Sequence, residues 1–252
     1  MDKLTQEKLL ELVRRSYDQI AENFDITRQK YLWPEFLKLA SEVKDGDSML
    51  DVGCGNGRLV QALVGKNIKY LGVDESQRLI EIARLKFQNP NNKSQTNSKS
   101  QIPIFKQIPN AKFIVGDILQ LDKVVKEEFD WVFCIAVLHH IPGEDLRLKA
   151  LEQLGEKLKP KGKIILTVWN LWPQVKFRKL IIKYGLQKLI GINKMQFGDL
   201  LFDWKNSRGE KIGRRYYHAF RNGELEKIVQ KANLNIDKLY KDKYNYYLIL
   251  NK

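Results

Sequence analysis

Apolar residues follow two different registers along this chain. Between residues 4 and 24, Leu9, Leu12, Val13, Tyr17 and Ile20 recur at three- and four-residue steps, which predicts an amphipathic helix. A second, shorter helix is expected after Pro34, through Phe36, Leu37 and Ala40. From Ser48 the texture changes to short continuous apolar runs: SMLDV (48–52), KYLGVD (69–74), KFIVGD (112–117), FDWVFCIAV (129–137) and KIILTVW (163–169). Helical patterns at 57–65, 76–87 and 144–159 separate them. Unbroken apolar strands alternating with helices predict a parallel sheet covered on both faces, an α/β open sheet. Residues 174–190 have a helical rhythm with a basic face. The chain then reads helix (222–232), strand (234–240) and strand (244–250), the last two close enough for an antiparallel hairpin.

Composition adds limits. At 252 residues and 43% hydrophobic content the chain can bury a sizeable core. No apolar run approaches the ~20 residues of a bilayer crossing. The start, MDKLTQEKLLELVRRSYDQ, lacks a signal-peptide core, so the default expectation is a cytoplasmic protein without a membrane anchor. Two cysteines and three histidines, with neither CxxC nor HExxH, argue against a protein-held metal. Residues 88–101, QNPNNKSQTNSKSQ, hold nothing apolar and read as a surface-loop insertion. The net charge is +14, which points to an anionic partner, and its distribution sharpens the point. Residues 1–47 carry −2, 48–169 carry +5, 170–218 carry +8 and 219–252 carry +3. The expected organisation is one domain: an N-terminal helical extension (1–47), a binding core (48–169), a basic aromatic lid insertion (170–218), and a C-terminal helix with a β-hairpin (219–252).

The first strand runs into Asp51-Val52-Gly53-Cys54-Gly55-Asn56-Gly57, followed by the helical RLVQALV. A strand, a glycine-rich turn and a helix start form a nucleotide-type cradle. The spacing is GxGxG rather than GxGxxG, with Arg58 where a dinucleotide fingerprint has its third glycine, and there is no GK[ST] of a P-loop. Asp51, two positions before the first glycine, suits an ammonium-bearing ligand better than a pyrophosphate. Asp74 ends the second strand, where a carboxylate can accept from ribose hydroxyls, and Glu75 follows it. Asp117 ends the third in VGDI, where it could accept from an adenine amino group with Ile118 against the ring.

DVGCGNG, LGVD and VGDI, in this order, resemble the class I S-adenosylmethionine-dependent methyltransferases. The resemblance implies a Rossmann-like seven-stranded sheet with an antiparallel last strand. It also implies S-adenosyl-L-methionine as cofactor, with Gly53, Gly55 and Gly57 on the methionine part, Asp74 on the ribose, and Asp117 with Ile118 on the adenine. Tyr17, Asp51, Cys54, Asn56, Glu75, Ile135 and Ala136 complete the expected cofactor set. Further segments (YDQIA from Tyr17, Phe24 to Arg28, IAVLHH from Ile135, VW at 168–169, DLLFDW from Asp199 and RYYHAFRNGEL from Arg215) are similar to the eukaryotic tRNA methyltransferases that esterify 5-carboxymethyluridine at the wobble position. They are equally similar to the methyltransferase domain of the AlkB-fused relatives of those enzymes. One departure is Asp203, where a family DLxxPW-like element has proline.

This implies methyl transfer to a carboxylate, a nucleophile already ionised at neutral pH. It needs a cation, alignment and dryness rather than a strong base. The expected acceptor site is Arg28 and His140 flanking the acceptor, Trp169 stacking on the base, and Arg215, Tyr217 and His218 holding the nucleotide. Either His139 or His140 could face the substrate. Lys176, Arg178, Lys179, Arg214 and Arg215 are the expected RNA contacts, since Lys and Arg interleaved with aromatics suit phosphate contacts and base stacking. Two alternatives remain open: a small-molecule O- or N-methyltransferase with a basic amphipathic lid, and a cofactor-binding RNA-binding subunit without activity. The resemblance also implies, as a partner besides tRNA, a small zinc-binding activator docking on the sheet edge.

Overall fold

The computed structural model describes residues 1–28, 32–87, 110–206 and 208–252; the insertion expected at 88–101 lies outside them. In chain order the elements are α1 (Lys3–Arg28), α2 (Pro34–Ser41), β1 (Ser48–Val52), β2 (Lys69–Asp74), α3 (Gln77–Phe87), β3 (Asn110–Val115), α4 (Leu121–Val124), β4 (Phe129–Ile135), α5 (Glu144–Glu156), β5 (Leu158–Trp169), α6 (Val175–Leu189), β6 (Asp199–Lys205), β7 (Lys211–His218), α7 (Glu224–Lys231), β8 (Asn235–Lys241) and β9 (Asn245–Asn251). The helical segment expected after the glycine loop is a 3₁₀ helix, Arg58–Leu63. One expectation is refined: Asp199–Lys205 and Lys211–His218, expected as part of a lid, form a separate two-stranded antiparallel sheet.

The main sheet has seven strands in the order β3-β2-β1-β4-β5-β9-β8. The β1 to β5 pairings are parallel, while β9 runs antiparallel to both β5 and β8. The chain winds outward through β2 and β3, then returns to place β4 on the other side of β1. That reversal opens a crevice at the C-terminal ends of the strands, the usual ligand position in such sheets.

Each face of the sheet is dry, which explains the unbroken apolar runs: all five residues of β1 are buried. On one face Leu50, Val132 and Leu166 pack with Leu151 of α5 and Ile228 of α7. On the other, Met49, Phe133 and Ile165 pack with Phe36 of α2, Leu63 and Ile80 of α3. Helix α1 reaches the core of one face through Leu10. It crosses the top of the crevice and lies against β7, buried through Leu9, Ser16, Ile20 and Ala21. Its closeness to β7 depends on Gly213, where a Cβ would stand 2.8 Å from Ser16 Oγ. Trp204 of β6 ties the same helix by donating from Nε1 to Asn23 Oδ1 at 2.7 Å. The crevice is thereby walled by the strand ends below and by α1 and the β6–β7 hairpin above.

Candidate active site

At the end of β1 the chain makes the tight turn that the glycines allow. Gly53 has φ +74°, and a Cβ there would lie 2.2 Å from Val137 Cγ2, so only glycine lets the loop pass under the β4 end. Backbone N–H groups of Gly53 and Cys54 both donate to the Val73 carbonyl, at 2.7 and 3.0 Å. Gly55 N–H donates to Asp74 Oδ2 at 2.8 Å, and Ser76 N–H to Asp74 Oδ1 at 2.9 Å. Asp74 therefore both locks the glycine loop and lines the crevice.

These elements enclose a cavity of about 580 Å³. One end is acidic. Asp51 is buried, and its carboxylate accepts from the Tyr70 hydroxyl at 2.6 Å. Burial pushes Asp51 up to about 7 against that hydrogen bond, with Asp74 adding to the rise. Burial likewise pushes Asp74 up to about 6 and Glu75 to about 7. Asp117 caps the turn Ile118–Gln120 by accepting from the Leu119 N–H at 2.7 Å, and with Ile118 it lines the same end.

The other end is cationic and aromatic. Arg215 on β7 is only 5% exposed, and its guanidinium lies among rings: 4.0 Å from the centroid of Trp204, 5.2 Å from Tyr217, 5.9 Å from Phe202 and 6.0 Å from Trp169. Among the described residues no carboxylate pairs with it, and its Nε has no hydrogen-bond partner. Arg28, at the end of α1, shares Trp204, at 5.9 Å. Arg58 lies over Trp33 at 5.4 Å, its pKa lowered by burial and by the charge of Arg28.

His140 lines the cavity, whereas His139 is fully buried behind it. The His140 ring bridges Tyr17 Oη at 2.8 Å and the Tyr216 carbonyl at 3.0 Å. Burial brings it down to about 3, so it stays neutral. Ala136, just after β4, has φ +58°, an uncommon strained conformation for a residue with a Cβ, at the seam between glycine loop and His140.

The cavity thus brings together Tyr17, Arg28, Asp51, Gly53, Cys54, Gly55, Asn56, Asp74, Glu75, Asp117, Ile118, Ile135, Ala136, His140, Trp169 and Arg215. Three expected members lie elsewhere. Gly57 is a packing position, where a Cβ would meet Phe87 at 2.9 Å and Phe113 at 3.0 Å. Tyr217 is fully buried beneath Trp169, the rings stacked at 5.1 Å, so it supports the wall rather than touching a ligand. His218 is 2% exposed and held between Asp199 Oδ1 at 2.7 Å and Glu224 Oε1 at 2.6 Å. It fastens β7 to β6 and α7, and the expected nucleotide contact is corrected accordingly. Lys176, Lys179 and Arg214 line not the cavity but a groove beside it, and Arg178 lines neither. Trp33, Phe36, Arg58, Val137 and Gln174 also line the cavity, as do Tyr244 and Asn245 from the β8–β9 turn. Of these Arg58, directly after the glycine loop, and Val137, within IAVLHH, carried a sequence signal.

Among the described residues no helix is long and apolar enough to cross a membrane. No group of three or more His, Cys, Asp or Glu among them could hold a metal ion.

Comparison with known proteins agrees with this architecture. The chain is 28% identical over 254 residues to a Schizosaccharomyces pombe tRNA (carboxymethyluridine(34)-5-O)-methyltransferase, covering 96% of both chains. A solved SAM-dependent methyltransferase from Methanosarcina mazei superposes with a TM-score of 0.63 at 19% identity, covering 88% of this chain and 99% of that one. A complex between the Haloferax volcanii Trm112 methyltransferase activator and a candidate methyltransferase gives a TM-score of 0.57 at 16% identity, covering 93% and 96%. Both structures share the Rossmann-like class I fold. Residues 24–239 match the methyltransferase domain family, and with the seven-stranded order and the glycine loop in place, the chain belongs to that family.

Proposed function

We propose that this protein is an S-adenosylmethionine-dependent methyltransferase that esterifies the carboxylate of a 5-carboxymethyl-type uridine at the wobble position of tRNA. The observation that carries the reading is Arg215. A guanidinium this deeply buried, with no carboxylate partner among the described residues, costs several kcal/mol unless an anion joins it. An acceptor carboxylate is such an anion. It would sit in a dry aromatic cage, between Arg215 and the acidic end of the cavity.

The cavity fits the cofactor. Asp51 is a buried carboxylate with a single hydrogen-bond donor, matched to an ammonium group, and Gly53 and Gly55 leave backbone bare where a side chain would fill the space. When bound, the cofactor would supply an electrophilic methyl group. Asp74, Asp117 and Ile118 would hold its nucleoside part. Neutral His140 fixes Tyr17, and Trp169 and Arg215 orient the acceptor. Nothing in this site needs to take a proton from a carboxylate.

The tRNA part is supported by the name of the fission-yeast relative, which the chain matches over 96% of both lengths. The Haloferax complex supports adding an activator subunit as partner; that it is small, binds zinc and docks on a sheet edge rests on the family resemblance alone. As tRNA is decoded on cytoplasmic ribosomes, the reading puts the activity in the cytoplasm. The test is to incubate the protein, alone and with a co-purified activator, with tritiated cofactor and tRNA. The incorporated label should be released as volatile methanol by mild base, as from an ester. Base-stable label would point to methylation of a ring atom or a hydroxyl, and label on a small molecule alone would favour the metabolite reading.

A further inference from the structure

Beside the cavity runs a second depression of about 1090 Å³, between α6 and the β6–β7 hairpin. Lys176, Lys179 and Lys183 line it from α6. Their spacing of three and four residues sets the three side chains on one stripe of the helix. Lys205 and Arg214 line it from the hairpin. Asp203 is its only carboxylate among the described residues, and it is already engaged by Arg214 and Lys211, both at 3.0 Å. The groove floor is aromatic: Phe202 lies under the Lys176 ammonium at 4.3 Å, with Tyr184 and Trp204 beside it. Arg28 and Arg215 line both this groove and the cavity, so the two spaces meet at those guanidiniums.

We infer that this groove is the track for the single-stranded RNA backbone that adjoins the target nucleotide. This rests on the function proposed above and goes beyond it by giving the RNA a path. A polynucleotide carries one charge per residue and a π face on each base. A stripe of cations over aromatic rings is the matching surface. The continuity through Arg28 and Arg215 explains how one nucleotide could enter the cavity while its neighbours stay outside. The path also changes the set of RNA contacts expected from the sequence: Lys183 and Lys205 join it, and Arg178 does not belong to it.

The experiment compares wild type, K179E/K183E, and K227E, the last an exposed lysine of α7 away from the groove. Binding of total yeast tRNA is measured by filter retention from 50 to 300 mM KCl, with methylation kinetics on tRNA, cofactor affinity, and binding to phosphatidylserine vesicles. The expected result is about tenfold weaker tRNA binding and a raised KM in K179E/K183E. Its salt dependence should be shallower by about 0.7 to 0.9 in log–log slope per lost phosphate contact. Cofactor affinity should hold, and K227E should match wild type. If wild type methylates tRNA and K179E/K183E keeps its KM and salt slope, the groove assignment is overturned while the function stands. An equal loss in K227E, or vesicle binding that is lost in place of tRNA binding, also overturns it. If wild-type protein with its activator methylates no tRNA, the functional reading itself fails.

Discussion

Tyr17 Oη stands 2.8 Å from His140 Nε2, while Nδ1 of the same ring stands 3.0 Å from the Tyr216 carbonyl oxygen. A carbonyl only accepts, so Nδ1 carries the proton, Nε2 accepts, and the Tyr17 hydroxyl donates. The pair joins α1 to the end of β4 across the top of the crevice. Burial holds His140 near 3, so the ring stays neutral throughout the working range. We therefore expect the kcat profile between pH 5 and 9 to contain no ionisation belonging to His140. In H140N the rate should fall while the shape of the profile stays the same. An acidic limb near pH 6 to 7 that disappears in H140N would show that the histidine acts as a base.

The acid cluster at the other end has a different pH signature. Asp51 lies near 7 in the free protein, raised by burial. A cation arriving beside it favours the ionised form, so binding below pH 7 must expel a proton. Cofactor affinity should rise with pH by up to about tenfold per unit below 7 and flatten above it. D51N should bind more weakly, with a shallower pH dependence. Titration calorimetry at pH 6, 7 and 8 measures this, and a flat wild-type profile would contradict it. Folding stability runs in the opposite direction. A carboxyl raised from 3.8 to about 7 withdraws stability as pH climbs across that window, because the unfolded chain ionises first.

On the proposed function, Arg215 belongs to acceptor binding and not to cofactor binding. Charge-assisted hydrogen bonds to a buried guanidinium contribute about 1.5–3 kcal/mol, so R215A should lower kcat/KM for the tRNA acceptor by about 10- to 150-fold. Cofactor affinity should change by less than about threefold. Equal losses in both would remove Arg215 from the acceptor site.

Gly53 and Val137 form a steric pair. G53A sets a methyl group 2.2 Å from Val137 Cγ2 and strains a backbone at φ +74°, so it should lower Tm and cofactor affinity together. G53A/V137A removes the overlap and keeps the strain of about 1–2 kcal/mol, so it should recover part of both. If the double variant were no better than G53A, the clash would not be the reason glycine is needed.

Much of this architecture could be read from the chain, for reasons that differ by element. The sheet strands are buried on both faces, so β1, β2, β4 and β5 stand out as unbroken apolar runs, and the acids at their ends mark the crevice. The β6–β7 hairpin was hidden by its own composition. DLLFDWK and KIGRRYYH mix charge with aromatics because consecutive residues, Leu201 to Lys205 with Arg214 and Arg215, line the basic groove while Leu200, Tyr216 and Tyr217 are buried, so neither strand alternates cleanly. His218 sits in a motif full of candidate ligands. Its burial between Asp199 and Glu224 depends on pairing across β6 and on α7, which spacing does not reveal. Trp33 and Tyr244 reach the cavity only because distant turns converge there, and no local pattern marks them.

The most direct test of the central claim is nucleoside mass spectrometry. Total tRNA from a strain lacking this protein is incubated with methyl-labelled cofactor and purified protein, alone and with the proposed activator subunit, then digested to nucleosides. The account expects the label in the methyl ester of a 5-carboxymethyl-type uridine, with the unesterified nucleoside consumed in equal amount and R215A giving a small fraction of that yield. Label on an unmodified base, or none on tRNA while a small molecule is methylated, would contradict it.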